Sequence, residues 1–266
     1  MGGYIPPAIR ARNLLEELDI KQTPTPVEDI CKHFDIECDL EANITTEALL
    51  IAGGTRKRPL IAIKANQQYE TKVRFSLAHE LGHFIIPEHQ NSWYLCTIDD
   101  LNDYREKNIE TEANQFAAEL LLPSLWLTHK IKRHDVTIDM LKAIAGECET
   151  SLTSTAIQVA GLCPDRIAVI FAQGGQIIWY RKAKSFDLFL APGNLKNPSI
   201  ALRLHQEPSP YSESAGLVPL HAWTYDDRLY NELYEESLYM PSLNSTLTVL
   251  KIPCDEFEED AADWQD

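Results

Sequence analysis

The chain has 266 residues, with 40 acidic against 24 basic side chains, so its formal net charge at neutral pH is −16. This charge excludes a general coat for nucleic acids or anionic membranes, because repulsion opposes each approach to a phosphate surface. Hydrophobic residues at 44% and charged residues at 24% are typical of globular proteins. Since the length exceeds what one core usually organises, we expect two compact domains or one domain with an appendage.

The hydrophobic pattern of the first 125 residues predicts helices around a single β-hairpin. Apolar residues recur at helical spacing in four segments, and prolines at 87 and 123 end two of them. Two short apolar runs flank a glycine-containing turn, as in a hairpin. The predicted elements are helices over 6–18, 26–34, 69–86 and 108–122 and paired strands over 48–52 and 60–63.

Beyond Pro123 the pattern is first helical and then changes to the alternation of strands. The end of the chain, 255–266, holds seven acidic and no basic residues, which predicts a disordered tail. The predicted elements are helices over 124–134, 137–147, 151–161 and 226–238 and strands over 167–171, 177–180, 186–190, 217–223 and 246–252.

Two features of the sequence bear on the location of the protein. The chain holds no apolar run of about 18 or more residues, which a membrane-spanning helix would need. Its first residues lack the basic start and apolar stretch of a signal peptide. We therefore expect a cytoplasmic protein with no membrane association.

The sharpest motif is His79-Glu80-Leu81-Gly82-His83, a His-Glu-x-x-His pattern within a predicted helix. Residues four apart lie on one face of a helix, so both imidazoles can bind one zinc ion. Glu80 is then turned toward the open coordination position, where it can accept a proton from an attacking water. Apolar residues fill the other side of the helix, so the segment can be part of a core.

Zinc needs at least one more protein ligand, and two residues compete for this role. His89 follows His83 by six residues, as in the metzincin pattern, but Ile86 stands where that pattern has glycine. Glu110 lies on the next predicted helix, with Asn114 one turn later on the same face, where an orienting side chain would be placed. Glu112 points elsewhere and is expected at the surface or as a hydrogen-bond partner.

The zinc motif, followed by Glu110-Thr111-Glu112-Ala113-Asn114-Gln115-Phe116-Ala117-Ala118-Glu119 and Leu120-Leu121-Leu122-Pro123, resembles the ImmA/IrrE family of zinc metallo-endopeptidases. The resemblance covers about 5–165. It implies a thermolysin-like, gluzincin core in which Glu110 is the third ligand and Asn114 the orienting residue. It also implies cleavage of a protein substrate, since members commonly cleave helix-turn-helix repressors and so switch on a stress response or the transfer of a mobile element.

From the residues and the resemblance together we expect an α+β fold with a small C-terminal α/β or β-rich domain. Some relatives carry a sensor-like GAF domain at this end, so a GAF-like domain is one expectation. The expected segments are a zinc metallopeptidase core over 1–125, a helical, helix-turn-helix-like segment over 126–165, the C-terminal domain over 166–253 and the acidic tail over 254–266.

The expected activity is that of a zinc-dependent endopeptidase, with His79, His83 and Glu110 as ligands, Glu80 as the catalytic residue and Asn114 as the orienting residue. Manganese or another divalent ion would suit the same donors. DNA binding is not expected, because the second helix of the helix-turn-helix-like segment has no Lys or Arg. The alternative function is a regulatory or toxin-like interaction module that retains the metallopeptidase fold without cleaving a peptide bond.

Overall fold

The computed structural model describes residues 4–53, 56–67, 69–89, 102–132, 135–207, 212–225 and 231–253, with side chains in the fourth range from residue 108 onward. The described residues divide into two compact units. The first comprises 4–127 and 143–155, and the second comprises 128–142 and 156–253. The predicted acidic tail lies outside the described residues, and no described helix is long and apolar enough to cross a membrane.

The first unit holds most of the helices and a sheet of three strands. In this sheet β3 is central, parallel to β1 and antiparallel to β2. The elements are α1 (Pro7–Glu17), α2 (Val27–His33), β1 (Glu37–Ala42), β2 (Ala48–Ile51), β3 (Leu60–Lys64), α3 (Glu70–Ile85) and α4 (Asn102–Leu121), followed by α5 (Ser124–Ile131), α6 (Ile138–Cys148) and α7 (Leu152–Leu162), each of which contributes residues to both units.

Local chemistry explains where these helices start and stop. Pro7 occupies the first position of α1, where the missing N–H would have no helical partner. Ile86, the residue before Pro87, is extended and ends α3, as the steric demand of proline predicts. The four predicted helices and the hairpin of this half are confirmed, whereas the edge strand β1 was not predicted, although its exposed and partly buried residues alternate.

The core of the first unit lies between the sheet and the two long helices. Its fully buried side chains include Ile61 and Ile63 of β3, Leu81 of α3 and Phe116 and Leu120 of α4. Each such side chain contributes about 1.5–3 kcal/mol of hydrophobic free energy on burial. The core therefore fixes α3 against β2 and β3, and α4 against α3 and α1.

The second unit is built on an antiparallel sheet of five strands in the order β5-β4-β8-β7-β6. A short helix, α8, packs on β7, and its residues share a core with the sheet. The elements are β4 (Ile167–Gln173), β5 (Gln176–Lys182), α8 (Ile200–Gln206), β6 (Glu213–Pro219), β7 (Glu232–Met240) and β8 (Ser245–Lys251).

The predicted helix over 226–238 is wrong for its described part, because 232–240 is strand β7. Leu and Glu favour helix locally, but Leu233, Glu235, Ser237 and Tyr239 are buried on one face of the strand, and Glu236 on the other face is buried as well. Tertiary burial on one face of a sheet outweighed local helix propensity. Residues 226–230 lie outside the described part of the chain.

The predicted strand over 186–190 is also wrong, although its alternation is present. Phe186, Leu188 and Leu190 are buried, while Phe189 is exposed. The segment contributes every second side chain to the core but pairs with no strand in the described structure. The predicted strand over 217–223 is β6 as far as Pro219 and a short 3-10 helix beyond it. The helix α8 was not predicted.

Candidate metal centre

Two neighbouring helices bring the predicted ligands together. His79 and His83 lie one turn apart on α3, and Glu110 lies on α4. The helices pack closely at Gly82, where an added Cβ atom would lie 3.1 Å from Cδ1 of Phe116. A glycine at this position therefore lets the helix that carries Glu110 approach the two histidines.

The three side chains converge on one point. Nε2 of His83 lies 3.0 Å from Nε2 of His79, and the carboxylate of Glu110 lies 3.1 Å from the latter atom and 3.4 Å from the former. Ligand atoms about 2.0–2.1 Å from a tetrahedral zinc ion lie roughly 3.3 Å apart. The observed separations match this edge, so these residues could hold a metal ion, and all three ligand atoms lie within 4.8 Å of one another.

Asn114 contacts the first histidine. Its Oδ1 lies 2.9 Å from Nδ1 of His79. An amide oxygen only accepts hydrogen bonds, so Nδ1 of His79 carries the proton and Nε2 is left with its lone pair directed at Glu110 and His83. Helical spacing predicted an orienting residue at Asn114, and the geometry of this contact suits a metal ligand held in one tautomer.

Glu80 lines a cavity that two of the three ligands, His79 and Glu110, also line. This cavity has a volume of about 320 Å³ and is also lined by Lys72, Phe75 and Asn114. The backbone N–H of Leu50 on β2 donates a hydrogen bond to the Glu80 carboxylate, although burial outweighs it and raises the pKa of Glu80. The strand β2 thus holds the Glu80 carboxylate near the proposed metal ligands.

The charges of the ligands are coupled. Burial alone would lower the pKa of His79, but the hydrogen bond and charge of Glu110 outweigh burial and raise it above 6.5. Hydrogen bonds that His79 and His83 can donate when they are protonated hold the pKa of Glu110 well below its usual range. The charge of Glu110 thus favours the protonated form of His79, and this protonation would compete with the binding of a metal ion.

His89, the alternative third ligand, does not belong to this group. A 3-10 turn over Pro87–His89 follows α3 and brings Nδ1 of His89 to 3.1 Å from Nδ1 of His83, on the side of the ring away from Glu110. Its Nε2 lies 3.0 Å from Oε2 of Glu112. Glu112 is buried, so a surface position is wrong for it, and its other expected role, that of a hydrogen-bond partner, is the observed one.

Sequence reasoning missed an ion pair at the rim of the cavity. Lys72 and Glu47 form this pair, and both line the cavity with His79 and Glu80. Lys72 precedes His79 by seven residues, two helical turns, so the helical spacing would have placed it on the face of the motif. Nothing in the sequence marks Glu47, which precedes β2.

A protein-family model and a solved structure match this chain. The model of the IrrE N-terminal-like domain (Peptidase_M78) matches residues 31–153. A structure described as a Mycobacterium tuberculosis transcriptional regulator is similar in fold, with a TM-score of 0.61 and 12% sequence identity, over 92% of this chain and 75% of that chain. No curated protein matches the sequence.

The family match covers both motifs, from the His-Glu-x-x-His of α3 to the Glu110 segment of α4. The structural match, at its low identity, supports the fold alone. Together with the converging side chains they confirm the resemblance drawn from the sequence. Residues 31–153 of the chain therefore match the IrrE N-terminal-like domain of the Peptidase_M78 family.

Proposed function

We propose that this protein is a zinc-dependent endopeptidase of the thermolysin-like, gluzincin type that cleaves a protein regulator of transcription. The observation that carries the proposal is the convergence of His79, His83 and Glu110 beside the carboxylate of Glu80. The family match supports the class of protein, and the role in regulation is proposed by analogy with the structural neighbour, which is described as a transcriptional regulator. A helix-turn-helix repressor is the substrate we propose, and the cytoplasm its location.

In this mechanism His79, His83 and Glu110 would hold the ion. When bound, zinc would polarise the scissile carbonyl and acidify water beside it. Glu80 accepts a proton from the attacking water and passes it to the leaving amine, as its position in the same cavity allows. Asn114 keeps His79 in the tautomer that presents Nε2. The same donor set would also accept manganese, because a carboxylate is among the ligands that manganese prefers.

A second cavity supports a peptide substrate. It has a volume of about 260 Å³ and adjoins the first through Lys72 and Phe75. Its lining includes Ala118 and Leu121 of α4 and Leu122, which follows α4. A mostly apolar cavity of this kind next to a reactive centre suits an apolar side chain of a bound polypeptide. We therefore propose that the substrate carries an apolar residue beside the cleaved bond.

The first experiment measures bound metal by elemental analysis of the purified chain. We expect about one zinc per chain in wild type and in Glu80→Gln, and none in Glu110→Ala. Wild-type protein without metal after growth in zinc would favour the interaction module, in which the peptidase fold binds a partner without cleaving it.

The second experiment tests cleavage. Wild type or Glu80→Gln is added to an extract of host cells, and new protein N-termini are labelled and sequenced. We expect new termini with the wild type alone, in DNA-binding regulators and beside apolar residues. The same new termini with both proteins would contradict a catalytic Glu80, because Gln cannot accept the proton.

A GAF-like sensor function for 166–253 stays a prediction.

A further inference from the structure

His89 is a buried histidine that the proposed mechanism does not use. Its side chain is 1% exposed, yet both ring nitrogens meet polar atoms. Nδ1 faces His83, and Nε2 faces Glu112. Burying a polar ring is costly unless its nitrogens are satisfied, so this arrangement is a specific hydrogen-bonded connection rather than packing.

The direction of each hydrogen bond in this connection follows from the Glu112 carboxylate, at which the connection ends. The carboxylate of Glu112 only accepts, so Nε2 of His89 must donate to it. In a neutral His89 the other nitrogen, Nδ1, then accepts, and Nδ1 of His83 must donate. Nε2 of His83 is therefore left without a proton, directed toward His79 and Glu110.

The chain of hydrogen bonds continues to the first described residues. The hydroxyl of Tyr4 donates to Oε1 of Glu112 over 2.9 Å, on the oxygen that His89 does not use. Asn108 lies 3.5 Å from the same oxygen. Glu112 is thus held from two sides, and the segment before α1 is connected with the metal centre through three hydrogen bonds.

We propose that His89, Glu112 and Tyr4 form a hydrogen-bonded chain that positions His83, so that His89 is a positioning residue rather than a zinc ligand. This inference rests on the proposed zinc site. The two histidines of the motif are oriented differently: His79 by the amide of Asn114, and His83 by a second imidazole backed by a carboxylate. The turn at Pro87 places His89 behind the ring of His83 instead of beside the ion.

The experiment measures zinc affinity of the full chain by competition with a chromophoric chelator. We expect His89→Leu and Glu112→Leu each to weaken zinc binding about 10- to 100-fold, as loss of an orienting partner does. Since Glu112 acts through His89, the double variant should bind zinc no more weakly than His89→Leu alone. If the losses of zinc affinity of the two single variants were additive in the double variant, the result would overturn the proposal.

Three further variants separate positioning from a structural role. His89→Gln keeps an acceptor and a donor and should recover part of the affinity that His89→Leu loses. Tyr4→Phe removes one hydroxyl and should weaken binding a few-fold without unfolding, so it tests the chain even where His89→Leu does not fold. Glu88→Gln, next to His89 but exposed and paired with Arg10, is the matched control and should bind zinc as wild type does.

Cobalt substitution distinguishes a positioning residue from a ligand. The visible spectrum of Co²⁺ depends on the number and type of its ligands, so His89→Leu should retain the wild-type spectrum at saturating metal. A changed spectrum, or unchanged zinc affinity in His89→Leu, would overturn the proposal. Absence of zinc binding in wild type would instead overturn the proposed function, so the two failures differ.

Discussion

His79 is the residue at which protons and metal compete most directly. Glu110 raises its pKa above 6.5 in spite of burial, and a metal ion can bind only the neutral ring. As the pH is lowered, zinc affinity should therefore begin to fall at a higher pH than it would for a histidine of ordinary pKa. The measurement is a zinc titration repeated across neutral and mildly acidic pH.

Glu110→Gln provides the comparison. Burial lowers the pKa of His79, and without the Glu110 carboxylate the largest effect that raises this pKa is lost. The weaker zinc affinity of this variant should therefore begin to fall only at lower pH. If the zinc affinity of the wild type began to fall only below pH 6.5, the result would contradict the coupling of His79 to Glu110.

Single residues also show how far the sequence predicts the site. Helical geometry alone predicts that His79 and His83 share a face and that Glu110 and Asn114 share a face. That the two faces meet, as the structure places them, was expected from the family resemblance and not from the spacing. The place of His89 depends on the turn that follows α3, and that of Tyr4 on the docking of α1. Contacts of this second kind arise from tertiary structure, so spacing along the chain does not predict them.

At the scale of elements, the approach of α3 to α4 depends on Gly82. Gly82→Ala gains about 1 kcal/mol of helix propensity, but its Cβ would press on Phe116, which is fully buried. Overpacking of this kind costs about 1–3 kcal/mol, so we expect a net loss of stability and weaker zinc binding. Urea unfolding and chelator competition measure the two effects.

Gly146 of α6 is the matched control for this prediction. A Cβ added there meets no atom within 4 Å, so Gly146→Ala should gain up to about 1 kcal/mol in the free energy of unfolding. If Gly82→Ala were as stable as Gly146→Ala, the close approach at Phe116 would not limit the packing of the helices.

In the second unit the strand β7 carries a buried carboxylate that the helix prediction overlooked. Glu235 is 0% exposed and accepts hydrogen bonds from the backbone N–H of Ala201, Nε1 of Trp223 and the hydroxyl of Ser237. Burial nevertheless raises its pKa. A strand that places a carboxylate at the start of α8 thus joins the helix to the sheet.

Glu235→Leu should destabilise the second unit by several kcal/mol, because each buried donor left unpaired costs about 1–3 kcal/mol. Glu232→Leu, an exposed change on the same strand, should stay within about 0.5 kcal/mol of wild type. Urea unfolding followed by circular dichroism compares the two variants. Similar losses in both would show that the hydrogen bonds of Glu235 contribute little.

For the whole molecule, charge separates a peptidase that acts on a regulator from a protein that binds DNA itself. With a net charge of −16 we expect no binding to duplex DNA tighter than about 10⁻⁴ M, even at about 50 mM salt. Fluorescence anisotropy of a labelled duplex measures this. Tight binding that weakens steeply with salt would restore a DNA-binding function for the chain.

The family match begins at residue 31, but α1 lies before it and belongs to the first unit. Arg12 of α1 pairs with the buried Glu119 over 2.7 Å, and Tyr4 donates to the buried Glu112 over 2.9 Å. An expression fragment cut at residue 31 would bury two acidic side chains without these partners and expose the apolar face of α4. Recombinant boundaries, and the site of a purification tag, therefore belong before Tyr4.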